Sequence, residues 1–118
     1  MYITLNIGLE VSEHYLPDGV AEMKLQYKYV QEYLDKIFGK PLQIGLAQST
    51  TEKTVVASYS SVESVLSKLF WLAAALKQDC IAYSIQDGAN VLGGALVGEY
   101  AHEWNHGIFN EAYFIKAM

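Results

Sequence analysis

The chain has 118 residues, 52% of them hydrophobic, and a net charge of -5, which fits a single domain over 1–118 with room for one core. Its eight basic residues are all lysine, against thirteen acids; lacking arginine for a bidentate grip on phosphates and bases, it is expected to bind no nucleic acid. No apolar run approaches the ~20 residues of a membrane span, and the lone Cys80 excludes an internal disulfide.

Residues 2–11 alternate, with Ile3, Leu5, Ile7, Leu9 and Val11 on one face and Tyr2, Thr4, Asn6, Gly8 and Glu10 on the other. This predicts a half-buried strand. The segment carries no basic n-region, so it does not read as a signal peptide. A loop with His14, Tyr15 and Pro17 follows.

Asp18 is a candidate N-cap for the first helix. Val20, Met23, Tyr27, Val30, Leu34, Ile37 and Phe38 fall within about 100° of one another at helical spacing. Gly39 and Pro41 end that helix. Leu42, Ile44 and Leu46 alternate, Gln48 to Lys53 is polar, and Thr54 to Tyr59 is β-branched and apolar, which predicts a hairpin.

Ser60 and Glu63 match a capping box ahead of an apolar run. Val62, Val65, Leu66, Leu69, Leu72, Ala73 and Leu76 then share an arc of about 120°, predicting one helix to near Gln78. Cys80 to Ile85 reads as a short strand closed by Asp87 and Gly88. The order βαββαβ predicts an α+β fold. Residues 1–88 would form a ferredoxin-like core, with an antiparallel sheet and two helices on one face, and 89–118 a C-terminal extension.

In that extension residues 94–106 suit a helix and a strand equally. Leu96, Val97, Tyr100, Ala101 and Trp104 make an apolar helical stripe, while Gly93, Gly94 and Gly98 weaken a helix. Residues 108–115 read as a strand.

The same region carries His102-Glu103-Trp104-Asn105-His106, the H-E-x-x-H pattern of zinc peptidases. On a helix, His102 and His106 would lie one turn apart and share a Zn²⁺, with Glu103 as general base on its bound water. A catalytic zinc needs a third protein ligand. Phe109 and Ala112 stand where the extended metzincin pattern would want Gly and His or Asp. Glu111 is the only acid downstream, and His14 could serve only if the first loop folds over the site. The expectation is therefore no cofactor, with zinc as the alternative. Cys80, with only Lys77 close by among basic residues, reads as a buried small hydrophobe rather than a reactive thiol.

The second feature is aromatic. Nine tyrosines and two tryptophans are many for this length. Trp71 projects away from the core arc of its helix, and Leu25 and Tyr29 lie off the stripe of the first helix. With Tyr2 on the open sheet face, these are candidate interface residues.

The runs Ser49-Thr50-Thr51-Glu52-Lys53-Thr54-Val55, Gln78-Asp79-Cys80-Ile81-Ala82 and Phe109-Asn110-Glu111-Ala112-Tyr113-Phe114-Ile115 resemble segments of small phage and prophage accessory proteins. The resemblance covers about a third of the chain, carries no catalytic residues, and implies an accessory protein of a mobile element. The expected function is binding of a protein partner with a basic patch, as an inhibitor of a host defence protein or an immunity-type protein, without enzymatic activity. The expected setting is the cytoplasm, that of the host if the gene is phage-borne, and the expected state a homo-oligomer. The alternatives are a small zinc-dependent hydrolase and a small-molecule-binding oligomer.

Overall fold

In a computed structural model of the chain, residues 1–48 and 52–104 are described. Strand β1 (Tyr2–Gly8) runs through the middle of the molecule. It pairs antiparallel with β3 (Lys53–Tyr59) on one side and with β4 (Ile81–Asp87) on the other. Outside these lie β2 (Gln43–Gln48), beside β3, and β5 (Asn90–Val97), beside β4. The sheet order is β2-β3-β1-β4-β5 and every pairing is antiparallel. The class is α+β, with one strand more than the four expected of the core, because residues 90–97 fold back along β4.

The alternation of β1 is realised directly. Ile3, Leu5 and Ile7 are fully buried and sit opposite Tyr59, Ala57 and Val55. This face packs on α1 (Tyr27–Phe38) through Val30 and Leu34. It also packs on α2 (Val62–Leu66) and α3 (Leu69–Ala75) through Val65, Leu69, Leu72 and Ala73. The opposite face carries short side chains, of which Thr4, Ser58 and Ser84 are buried. Thr4 Oγ1 and Ser58 Oγ share a hydrogen bond of 3.0 Å, and Thr4 Oγ1 also lies 3.0 Å from the Gln86 amide oxygen. Among the described residues no helix is long and apolar enough to cross a membrane.

Three sequence expectations are corrected. The first helix starts at Tyr27, not near Asp18. The Pro17 carbonyl and the Val20 N–H close a turn with Gly19 at φ +81. Beyond it the chain runs back along the end of β1, where Val11 N–H donates to Met23 and Leu25 N–H to Leu9. Those pairings hold residues 23–25 extended, so Val20 and Met23 never join the helical stripe. The second helix is broken: the Lys68 N–H reaches back three residues to Val65, and Ser67 Oγ bonds the Ser64 carbonyl at 2.9 Å. Its capping box is not made, since Ser61 stands at the N-cap without a side-chain bond. The buried arc nevertheless survives the break, because Val65, Leu69, Leu72, Ala73 and Leu76 are all at or below 1% exposure.

In the ambiguous C-terminal third, the strand reading holds to Val97. Gly88, at φ +59, occupies the first position of the two-residue β4–β5 turn, where a primed hairpin turn wants glycine. Residues 101–103 then form one 3-10 turn. The strand expected at 108–115 lies outside the described residues.

Candidate functional site

The loop after β1 and the segment after β5 meet at one end of the sheet. Gly98 makes the approach possible: a Cβ there would overlap the Asp79 carbonyl oxygen and come within 2.6 Å of Cys80 Cα. Only a residue without a side chain lets the backbone lie this close. The Tyr100 N–H then donates to the Asp79 carbonyl at 3.1 Å. The Asp79 carboxylate accepts from Trp104 Nε1 at 2.7 Å on one oxygen and from Ser12 Oγ on the other. Asp79 thereby ties the first loop to residues 98–104.

Ser12 also caps the 3-10 turn Glu13–Tyr15, accepting the His14 N–H at 3.2 Å. This orients His14 onto the second segment. Its ring stacks on Tyr100 with centroids 3.7 Å apart and planes 6° from parallel. Tyr15 meets the same Tyr100 ring edge-on at 6.0 Å. His14 Nε2 lies 2.9 Å from both carboxylate oxygens of Glu103. The hydrogen bond to Glu103 raises the His14 pKa; desolvation opposes it, and the charges of Glu103, Asp79 and Glu13 add to it.

The H-E-x-x-H motif thus takes a different form from the one a zinc helix requires. Ala101–Glu103 is a single 3-10 turn, and Trp104 leaves it extended at φ -118 and ψ 112. His102 is exposed, with Nε2 4.0 Å from Glu103 Oε2, and His106 lies outside the described residues. Glu103, expected as a general base, is engaged by His14. The first loop reaches Glu103 through His14. Glu13, His14 and Glu103 each offer one ligand atom, all within 4.8 Å of one another.

Cys80, expected to be buried, is only part-buried. Burial first, then the Asp79 and Glu52 carboxylates, push its pKa up to about 11, which leaves it a thiol at neutral pH.

The second surface is aromatic. Trp71 is 54% exposed and Tyr29 49%. Tyr29 and Tyr33, one turn apart on α1, have ring centroids 6.1 Å apart, and Tyr33 stacks on Trp71 at 6.3 Å. The three rings form a row across α1 and α3. Leu25, expected beside them, precedes α1 and packs on the core instead. Tyr2, expected on an open sheet face, is half-buried and donates its hydroxyl to the Gly88 carbonyl at 3.1 Å.

Sequence reasoning singled out Trp71, Tyr29, His102 and Glu103 but missed Asp79, Ser12 and Tyr100. Nothing in the sequence marks them, because their roles arise from contacts between segments far apart in the chain; His14 and Glu103 are 89 residues apart. No family model, no curated protein and no solved structure matches this chain.

Proposed function

We propose that the chain is a non-enzymatic protein-binding protein with a ferredoxin-like core, docking through the Tyr29-Tyr33-Trp71 row. The succession β1-α1-β2-β3-α2-α3-β4 supports that core, with β5 as an addition at the β4 edge. The observation that carries the function is Trp71, half exposed on a helix whose inner face is fully packed. Tryptophan and tyrosine dominate the energetics of interfaces, because large rigid rings exclude water at little cost in entropy. Full burial of a large apolar side chain is worth about 1.5–3 kcal/mol, and Trp71 and Tyr29, each about half exposed, leave part of that unrealised.

The chain's net charge of -5 favours a partner with a basic patch. Carboxylates of Glu13, Asp79, Glu99 and Glu103 gather around the first loop and give that end a negative field. An inhibitor of a host protein or an immunity-type partner, carried by a mobile element, suits this combination.

Sedimentation of the wild type and of Trp71→Ala over a range of concentrations tests the reading, alone and with a candidate partner. The expected result is association weakened by about 2 kcal/mol in the variant, with its helical signal and melting temperature unchanged. A variant that melts lower but associates as before would place Trp71 in the monomer's own packing and remove the reading.

A further inference from the structure

We propose that Glu13, His14 and Glu103 form a binding site for one divalent ion of the zinc class, independent of the aromatic surface. The ligand set comes from two chain segments, Glu13 and His14 from the first loop and Glu103 from the turn after β5. Their ligand atoms already lie within 4.8 Å of one another.

Zinc holds nitrogen and carboxylate oxygen at about 2.0–2.2 Å in a tetrahedron, which sets neighbouring ligands roughly 3.3 Å apart. His14 Nε2 and the Glu103 oxygens stand at 2.9 Å. Opening that pair by a few tenths of an ångström would admit the ion between them. The ion would then take the place of the hydrogen bond.

A further observation supports a metal here. The His14 ring is held flat against Tyr100 at 3.7 Å, and its backbone is fixed by the Ser12 cap. A ligand whose rotamer is already set loses less entropy on binding. Glu103 is the glutamate of the H-E-x-x-H motif, which in zinc peptidases is the general base and not a ligand, so its place in this site rests on its position beside His14 and Glu13 alone. The motif's helix is absent from residues 101–104, and the first loop supplies the other two ligands.

One imidazole with two carboxylates suits zinc, cobalt or manganese. Calcium prefers an all-oxygen set of six or more ligands, which this site does not offer. The exposed His102 imidazole, 4.0 Å from Glu103, sits where a further ligand could approach. Bound metal would clasp the first loop to residues 98–104.

Zinc chloride titrated into the full chain, prepared without a histidine tag and freed of metal, tests the site by calorimetry and thermal melting. We expect one ion per chain and a melting temperature that climbs with zinc concentration. Affinity should fall at least about tenfold in His14→Ala and in Glu103→Gln, and hold in His106→Ala. Glu103→Gln keeps an oxygen that can accept from His14, so its folded state serves as the control against misfolding. Absence of saturable binding overturns the proposal. So does binding that survives His14→Ala but is lost in His106→Ala, which would seat the ion on the motif's own histidine pair.

Discussion

Asp79 accepts hydrogen bonds through both carboxylate oxygens and its carbonyl, from Ser12, Trp104 and Tyr100. A single charged side chain thus fixes the relative position of two segments, and removing it would leave donors on both unpaired. Glu52 sits less comfortably. Its carboxyl reaches over Gly8, where a Cβ would collide with it, and lies near Glu10. Burial first, and the Glu10 charge second, raise its pKa, against the pull of a backbone hydrogen bond from Glu10. The folded state therefore binds the proton more tightly than the unfolded chain. The ionised carboxylate lowers stability at neutral pH, and that penalty fades as pH falls through the raised pKa. Glu52→Gln, which can still accept the backbone bond, should melt at a higher temperature than wild type at pH 7. The gap should narrow as the buffer is acidified. A gap independent of pH would show that ionisation is not the cause.

At the scale of elements, the run 62–75 shows apolar periodicity outlasting helical continuity. Two short helices meet at Ser67 and Lys68, yet the core arc crosses the join without a break. The tightening to a three-residue hydrogen bond at Lys68 shifts the phase only slightly. Packing, rather than helix propensity, holds this region, since a five-residue and a seven-residue helix are both too short to stand alone. Leu69, the first residue of α3 and fully buried, should therefore be costly to truncate: Leu69→Ala is expected to lose about 2–5 kcal/mol in urea unfolding. A loss below about 0.5 kcal/mol, the range of surface sites, would show that the arc does not anchor the helices.

For the molecule as a whole, β1 is the axis. It is paired along both edges, and its Ile3, Leu5 and Ile7 lie at the centre of the core. Opening it requires separating two ladders and the helical layer together. Native-state hydrogen exchange should accordingly be slowest in β1 and α3, and faster at the sheet margins β2 and β5. Equal protection across all five strands would indicate a single cooperative unit with no weaker edge. The two candidate surfaces use different parts of this frame. The aromatic row lies on the helices, and the Glu13, His14 and Glu103 cluster lies on the loop end of the sheet. Each can be altered without touching the other.

Local order was legible in the sequence wherever one segment meets a continuous apolar surface. Period-two alternation placed β1, and the apolar arc placed Val65 through Leu76, because burial on one face imposes that spacing whatever else the chain does. The exposure of Trp71 followed from the same arc. Two features were set by partners distant in sequence. Residues 18–26 carry helical spacing, but the free edge at the end of β1 offered backbone hydrogen bonds that an isolated helix start could not match. The H-E-x-x-H motif likewise carries its chemistry in residue types, while its geometry depends on what lies opposite. Gly98 let the chain close on Asp79, and that approach brought Glu103 to His14. Residue spacing cannot encode such a meeting; only the folded sheet brings these two ends of the chain together.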